Sequence, residues 1–363
     1  MTSTPHAPPP RRHPRPGAAF AALAGALLLV ACGGDEDAVE TITLVTYDSF
    51  PESDTSLNVA LDAFSADTGI DVELLIAGDA GTMVSKAVLT AGNPEGDVMF
   101  GIDNSFLSRA VEGDVFEPYV TPELEAVPDD LTALVPDGEA TPIDYGDVCV
   151  NYDIAWFAAR DLEPPADLAA LAEPAYRDLL VVENPATSSP GLAFVLASIA
   201  EFGEDGWVEY WEQLRANGVE VVDGWTEAYY ERFTWAGGGP KPIVVSYGSS
   251  PPAEVIFADP PVDTAPTAAI ESTCFRQVEF AGVLRGTDAP EAARQLIDFL
   301  LSVPFQSELA LNLFVYPARA DIELPEEFAG TAVIPDDPYT IDPDTIAAGR
   351  ESWIDTWTET VLR

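Results

Sequence analysis

Several short motifs in this sequence combine aromatic, acidic and hydroxyl side chains at the ends of predicted strands. They are Tyr47-Asp48-Ser49, Asp103-Asn104-Ser105, Thr187-Ser188-Ser189-Pro190-Gly191, Asp223-Gly224-Trp225-Thr226-Glu227 and Ser246-Tyr247-Gly248-Ser249-Ser250. Aromatic rings stack on a flat ligand and attract positive charge, which a neighbouring carboxylate neutralises. Hydroxyl groups at a helix start, as at Ser188 and Ser189, suit a phosphate or a polar tail. These residue types predict a site for a flat cationic ligand.

The same motifs also have purely structural interpretations. Asp103-Asn104-Ser105 and Ser188-Ser189 could serve only as helix N-caps. Trp225 and Tyr247 could be core aromatic residues, and Tyr229-Tyr230 favours packing over ligand contact. The motifs taken singly leave both interpretations open.

Catalytic chemistry finds little support in the sequence. Both histidines, His6 and His13, lie near the start of the chain, in a segment that we expect to be removed. Without them a Ser-His-Asp triad, a Cys-His pair and a histidine-ligated metal site are excluded. The sequence contains no nucleophile elbow, no Walker loop, no dinucleotide-binding glycine motif and no calcium loop. We therefore expect a protein that is not an enzyme and uses no cofactor or metal.

The charge balance of the 363 residues is strongly acidic. Sixteen Lys and Arg residues stand against 62 Asp and Glu residues, which gives a formal net charge of −46. Such a chain repels phosphate, so non-specific nucleic-acid binding is excluded. The same excess favours cationic over anionic ligands.

The N-terminus resembles a bacterial export signal. Arg11, Arg12 and Arg15 precede an apolar run at 17–31 that is too short to span a bilayer comfortably. The run ends in Leu29-Val30-Ala31-Cys32, which resembles a lipobox. We predict a signal peptide at 1–31, lipidation of Cys32 and a flexible acidic tether at 32–40. The protein would then be a lipoprotein anchored to the cell membrane outside the cytoplasm; an uncleaved membrane anchor is the alternative.

Two further cysteines remain if Cys32 is lipidated. Cys149 and Cys274 each lie in an apolar stretch that predicts a strand. An even pair in an oxidising compartment predicts a disulfide between them. Two buried free thiols are the alternative.

Apolar periodicity predicts an alternation of strands and helices. Strands are predicted at 41–46, 70–76, 96–101, 140–153, 179–182, 219–222, 243–247 and 277–284. Helices are predicted at 58–68, 82–90, 105–111, 191–202, 291–301 and 347–362. This alternation is typical of an α/β fold with helices on the faces of a sheet.

The order of these elements predicts two α/β lobes joined by a hinge that the chain crosses several times, with a ligand cleft between the lobes. Lobe 1 would comprise 41–142 and 282–313, and lobe 2 would comprise 143–281. The segment 314–363 would return across the hinge.

Seven runs in this sequence resemble the substrate-binding lipoproteins of thiamine ABC importers, which have the type II periplasmic-binding fold. The runs are TYDSF at 46–50, GIDNS at 101–105, IDYG at 143–146, NPATSSPGL at 184–192, DGWTEAY at 223–229, SYGSSP at 246–251 and VYPA at 315–318. The resemblance implies two lobes that close on thiamine or its phosphates. It also implies delivery to an ABC transporter permease without covalent chemistry, and a monomer is the default expectation.

The resemblance also implies a set of ligand-binding residues. They are Tyr47, Asp48, Asp103, Asn104, Ser188, Trp225, Tyr247 and Phe314. Tyr47, Trp225 and Tyr247 would contact the rings, and Ser188 would lie near the hydroxyethyl or phosphate end. The sequence departs from the family pattern at Pro252-Ala253, where a tyrosine is expected, at Phe314, where a tryptophan is expected, and at Asp79-Ala80-Gly81.

Other ligands and other classes remain open at this point. A receptor of the same fold could bind ferric iron, for which Tyr229-Tyr230 is the only adjacent tyrosine pair, or a polyamine or a phosphonate. A secreted hydrolase or thiamine-degrading enzyme would need Cys149 or Cys274 as its nucleophile. A cell-envelope adhesin would not require the ordered motifs.

Overall fold

The computed structural model describes residues 40–258 and 260–363. The predicted signal peptide, the lipidation site Cys32 and residues 32–39 of the predicted tether lie outside the described residues. In the part of the chain that is described, no helix is both long enough and apolar enough to cross a membrane.

A mixed sheet of ten strands runs through the described residues. The strands are β1 (Glu40–Thr46), β2 (Ile70–Ile76), β3 (Val98–Asp103), β4 (Phe116–Glu117), β5 (Thr141–Asp153), β6 (Leu180–Glu183), β7 (Glu220–Val222), β8 (Ile243–Tyr247), β9 (Thr267–Leu284) and β10 (Tyr316–Pro317). Their order is β2-β1-β3-β9-β5-β8-β6-β7, with β4 beside β9 and β10 beside β5.

Helices alternate with these strands, which agrees with the predicted α/β class. They are α1 (Ser56–Thr68), α2 (Ala80–Leu89), α3 (Leu107–Glu112), α4 (Asp129–Thr132), α5 (Ile154–Ala158), α6 (Ser189–Ala216), α7 (Trp225–Glu227), α8 (Thr234–Gly237), α9 (Ser250–Ile256), α10 (Pro290–Leu300), α11 (Val303–Gln306), α12 (Leu309–Asn312), α13 (Glu326–Ala329) and α14 (Pro343–Trp357).

Helix α1 shows how the local sequence sets the bounds of an element. The Thr55 hydroxyl accepts a bond from the Asn58 backbone, and the Asn58 side chain accepts one from the Thr55 backbone, which forms a capping box. The helix ends at Gly69, whose φ of 76° suits a residue without a Cβ atom. Leu61 and Phe64 on its inner face are buried.

The strand directions divide the sheet into two parallel groups and a central antiparallel pair. β1, β2 and β3 are parallel to each other, as are β6, β7 and β8. β9 is antiparallel to β3 and β5, and β5 is antiparallel to β8. The two parallel groups therefore run in opposite senses along the central strands.

The strand register brings the carboxyl ends of the two parallel groups close together. Asp103 at the end of β3 is level with Glu279 of β9, and Glu279 is level with Asp144 of β5. Tyr247 at the end of β8 is level with Val148, four residues further along β5. The two groups thus end opposite each other, as a cleft between two α/β units requires.

Two predicted elements have bounds that are wrong by roughly ten residues or more. The helix predicted to end at 202 continues as α6 to Ala216, with a break at Gly203, whose φ is 70°. Trp207 and Trp211 extend its buried face beyond that break. The strand predicted at 277–284, with a separate apolar stretch predicted at Cys274, is one strand that begins at Thr267, because β9 is already paired with β5 from that residue onward.

The predicted disulfide is present in the structure. Cys149 and Cys274 are bonded, with an S–S distance of 2.00 Å. The bond joins β5 to β9 beside an irregularity in their register between Val148 and Val150. It therefore ties together the two strands that connect the parallel groups.

Candidate ligand-binding site

A cavity of about 210 Å³ lies where the two groups of parallel strands end opposite each other. Tyr47 follows β1, and Gly101 lies near the end of β3. Tyr247 ends β8, while Trp225 and Ser189 begin α7 and α6. Ligands of open α/β sheets bind at the carboxyl ends of strands, so the cavity lies where the motifs predict a site.

Most of the predicted ligand-binding residues line this cavity. They are Tyr47, Asp48, Trp225, Tyr247 and Phe314. Asp103, Asn104 and Ser188 are not among the lining residues and lie behind the cavity wall.

Asp103 is buried and holds two serines in place. Its Oδ1 accepts a bond from the Ser105 backbone at 2.6 Å and another from the Ser105 hydroxyl. Its Oδ2 accepts a bond from the hydroxyl of Ser189, which does line the cavity. Burial raises the pKa of Asp103 to about 6, although the bonds from Ser105 lower it. In this structure Asp103 positions the wall and does not form its surface.

Asn104 is hydrogen-bonded to a neighbouring strand, and Ser188 is buried. The Asn104 amide donates to the Arg276 carbonyl at 3.3 Å, and its carbonyl accepts from the Val278 backbone at 3.0 Å. These two bonds fix Asn104 to β9. Ser188 is fully buried immediately before α6, and its backbone carbonyl accepts from Leu192. Ser188 therefore occupies the N-cap position of α6, although its hydroxyl caps no backbone N–H of the helix.

One side of the cavity is formed by what we call the aromatic wall, Trp225, Tyr229 and Tyr247. The rings of Trp225 and Tyr229 are stacked, with centroids 5.1 Å apart and planes 16° apart. Tyr247 meets Trp225 edge-on at 6.3 Å. The Trp225 indole donates to the Ser246 hydroxyl at 2.9 Å, which fixes the ring. Tyr229, which the sequence assigned to packing, both packs against Trp225 and lines the cavity.

Tyr47 lies in the part of the cavity formed by the β1 and β3 ends. Its ring meets Phe50 and Phe100 edge-on, each at 6.1 Å. Gly101 has a φ of 100°, and a Cβ atom there would overlap the Tyr47 ring. Glycine at 101 is therefore required both by the backbone conformation and by the position of Tyr47.

The rim of the cavity carries a second pair of rings. Phe314 and Phe257 meet with centroids 5.3 Å apart, and Phe257 is largely exposed. Phe314 has a φ of 57°, which is uncommon for a residue with a side chain. Phenylalanine at 314, in place of the tryptophan that the family pattern leads us to expect, thus keeps a ring at the rim but provides no indole donor.

The charged side chains that line the cavity, in the described part of the chain, are all acidic: Asp48, Asp79, Glu254 and Glu279. Asp79 accepts bonds from the backbones of Ala80 at 2.7 Å and Trp225 at 3.2 Å. Burial raises its pKa to about 6, and the charge of Asp48 adds to that effect. A cavity lined in this way favours a positively charged ligand.

Sequence reasoning missed several lining residues. Asp79 was named only as part of a departure from the family pattern, yet it follows β2 and caps α2, so it carries the same end-of-strand signal as the motifs that were selected. Ser189 lay within a selected motif but was passed over for Ser188. Glu279 gave a different signal, an acid inside an otherwise apolar strand. Glu254 and Tyr230 had no comparable signal.

The described residues contain no arrangement of side chains suited to metal binding or thiol chemistry. Within residues 40–258 and 260–363, no cluster of three or more His, Cys, Asp or Glu side chains is arranged to hold a metal ion. Cys149 and Cys274 are bonded to each other, so neither provides a free thiol. The geometry suits binding through ring stacking and charge.

Residues 94–336 match the family model for bacterial extracellular solute-binding proteins. That match covers more than half of the chain, so the chain belongs to this family. Members of this class bind solutes outside the cytoplasm and are not enzymes.

The chain is similar to the thiamine-binding periplasmic protein of Salmonella typhimurium, with 28% identity over 337 residues that cover 93% of this chain and 98% of that protein. It is also similar to the solved structure of a periplasmic thiamin binding protein, with a TM-score of 0.77 and 27% identity, covering 89% of this chain and 96% of the other. Iron uptake protein A1 of Synechocystis is 24% identical over 341 residues, which cover 90% of this chain and 91% of that protein. These similarities confirm the type II periplasmic-binding fold.

Proposed function

We propose that this protein captures thiamine in the cavity and delivers it to an ABC importer. The observation that carries the proposal is a stacked aromatic wall in a cavity whose charged lining residues, as far as the chain is described, are all acidic. Thiamine consists of two linked aromatic rings, one of which has a permanent positive charge. Such a ligand gains from ring stacking, from cation–π attraction and from nearby carboxylates. The thiamine-binding relatives support the same ligand.

The proposed contacts follow from the positions of the lining residues. Trp225 and Tyr247 would stack on one ring of thiamine, and Tyr47 would contact the ligand from the β1 and β3 side. Asp48 would supply negative charge, and Phe314 would cover the ligand at the rim. These residues come from both parallel groups, so the ligand would bridge the two groups.

Asp103, Asn104 and Ser188 would act on the ligand indirectly. Asp103 would orient Ser189 through the bond that joins their side chains. Asn104 would hold the end of β3 against β9. In this proposal Ser189, and not Ser188, offers its hydroxyl to the hydroxyethyl end of thiamine.

Capture would proceed by closure of two lobes around the ligand. We propose that lobe 1 comprises 41–142 and 282–313, that lobe 2 comprises 143–281, and that 314–363 returns across the hinge. A permease would recognise the closed form, whose population rises when ligand is bound. Removal of a signal peptide at 1–31 and lipidation of Cys32 would hold the monomeric receptor at the outer face of the cell membrane.

The alternatives from the sequence are less well supported by the site. Tyr229 donates its hydroxyl to Glu254 at 2.8 Å and stacks on Trp225, so its ring is used in the wall. A thiamine-degrading enzyme would need a cysteine nucleophile, and the disulfide leaves neither Cys149 nor Cys274 free. Ferric iron, a polyamine and a phosphonate remain as ligands to compare with thiamine.

The test is calorimetric titration of thiamine into the chain that begins after Cys32, since residues 39–363 form one compact unit. We expect saturable one-to-one binding that is tighter than micromolar. The proposal would be overturned if thiamine produced neither heat nor a shift in melting temperature while iron, a polyamine or a phosphonate bound.

A further inference from the structure

Three buried carboxyl groups form a row across the middle of the sheet. Asp103 of β3 is level with Glu279 of β9, and Glu279 is level with Asp144 of β5. Residues that are level on neighbouring strands point to the same face of a sheet. We call Asp103, Glu279 and Asp144 the acid row. Only Glu279 among them lines the cavity, and it is 8% exposed.

The hydrogen bonds of the acid row are incomplete unless it holds a proton. The Glu279 Oε1 accepts from the Gln277 amide at 2.9 Å. Neither oxygen of Asp144 has a donor among the described residues, and neither does Oε2 of Glu279. Asp144 and Glu279 are directly opposite each other on neighbouring strands, and the charge of Asp144 raises the pKa of Glu279. A proton on one of them would supply the missing bond, whereas two ionised carboxylates would repel.

Among the described residues, the groups around the acid row offer no positive charge. The groups that interact with it electrostatically are tyrosines and an acid: Tyr47 beside β1, Asp79 before α2, and Tyr247 of β8. Ser189 of α6 bonds Asp103, and β10 places Pro317 opposite Asp144. The nearest arginine along β9, Arg276, is bonded to Asp147 at 2.7 Å. A cation at the row must therefore come from the ligand.

We propose that the acid row is a proton-releasing countercharge: when a cationic ligand enters beside Glu279, the Glu279–Asp144 pair gives a proton to solvent, and both groups become carboxylates, with Glu279 at the cavity surface. The inference rests on the proposed function, because it takes thiamine as the cation. The proton passes to water or buffer, and no bond of the ligand changes.

The direction of the pKa shifts supports this inference. Burial raises the pKa of Asp144, and burial together with the charges of Asp144 and Asp103 raises the pKa of Glu279. The raised pKa values favour a proton on this pair in the free protein. A bound cation stabilises the carboxylates and lowers both pKa values, so affinity rises with pH. Full release of one proton makes the dissociation constant fall about tenfold per pH unit.

The experiment is calorimetric titration of thiamine at pH 7 in several buffers with different ionisation enthalpies. The dependence of the observed heat on buffer enthalpy gives the number of protons released. We expect about one proton per thiamine and a dissociation constant that falls as pH rises from about 6 to about 8. The thiophene isostere of thiamine, which lacks the positive charge, should release none. This comparison needs no variant to fold.

Variants then locate the proton. Glu279→Gln and Asp144→Asn should each abolish the release and flatten the pH dependence, whereas the control Glu52→Gln, an exposed acid outside the cavity lining, should keep it. Thiamine binding without proton release, equal release with the isostere, or full release from a folded Glu279→Gln variant would each overturn the inference. Failure of thiamine to bind at any pH would instead overturn the proposed function.

Discussion

The aromatic wall and the acid row border the same cavity but are built from different parts of the fold. Trp225 and Tyr229 of the wall lie on short turns after β7, and Tyr247 ends β8. The acid row lies on three paired strands, where its carboxyl groups are almost completely removed from water. The rings of the wall already pack on each other and gain further energy when a ligand ring stacks on them, whereas the row carries the energetic cost of buried acids in the free protein.

This difference predicts where damage to each region should be measured. A change at Trp225 in the aromatic wall should reduce ligand affinity more than it reduces the stability of the free protein. A change in the acid row should alter stability and its pH dependence even without ligand. The disulfide offers a third case, because it lies on the strands of the row but outside the cavity.

The largest expected effect is the loss of the disulfide. The paired substitution Cys149→Ser and Cys274→Ser frees a loop of 125 residues in the unfolded chain. The loop-entropy model gives a loss of about 4–5 kcal/mol in the free energy of unfolding. Urea unfolding would measure it, with the reduced wild-type protein as the matched control. A loss below about 1 kcal/mol, or a large loss of thiamine affinity in the folded variant, would contradict this assignment.

The next largest effect is the pH dependence of the stability of the free protein. Burial raises the pKa of both Asp79 and Asp103 from 3.8 to about 6, so the folded state binds more protons than the unfolded state between those values. Stability from these groups is present below pH 4 and is lost as pH rises through 6. Each group contributes a slope of about −1.4 kcal/mol per pH unit in that window.

Asp103→Asn tests the sign of this dependence. Raising the pH from 4 to 7 should destabilise the wild-type protein more than it destabilises the variant, by about 2–3 kcal/mol in the free energy of unfolding. Urea unfolding at several pH values would measure the difference, and Asp48→Asn would serve as a control on the cavity surface. Parallel stability curves for the wild-type protein and Asp103→Asn would contradict the expectation.

A smaller effect is expected from the aromatic wall. Trp225→Ala removes the stacked ring and should weaken thiamine binding by about 1–3 kcal/mol, while the free energy of unfolding changes less. Calorimetry would measure the binding, and Trp156→Ala, outside the cavity lining, is the matched control. An unchanged dissociation constant for Trp225→Ala would remove this residue from the site.

The two regions also differ in how far the sequence predicts them. The aromatic wall could be found because Trp225 and Tyr247 lie in contiguous motifs at strand ends, and strand ends are visible as changes in periodicity. The alternation of strands and helices gave the α/β class for the same reason. Even so, the motifs could not distinguish Ser189, which faces the cavity, from Ser188, which does not.

The acid row could not be predicted from a single sequence. Asp103, Asp144 and Glu279 meet only because of the register between β3, β9 and β5, and the sequence does not give the register. Irregularities between Phe100 and Ile102, and between Pro142 and Asp144, shift that register further. Glu279 was visible only as one acid within an apolar strand.

The smallest expected effect concerns phosphorylated thiamine, for which the two regions make opposing contributions. The N-terminus of α6, at Ser189, attracts an anion with roughly half a charge. Asp48, Asp79 and Glu279 oppose it with negative charges of their own, although some of these carboxyl groups are protonated in the free protein. The full negative charges of the carboxylates outweigh the partial positive charge of the helix terminus, so thiamine monophosphate should bind about tenfold more weakly than thiamine. Calorimetry at low and high salt would test this, because screening should narrow the gap. Equal or tighter binding of the monophosphate would show that the helix terminus dominates and that phosphate lies away from the acids.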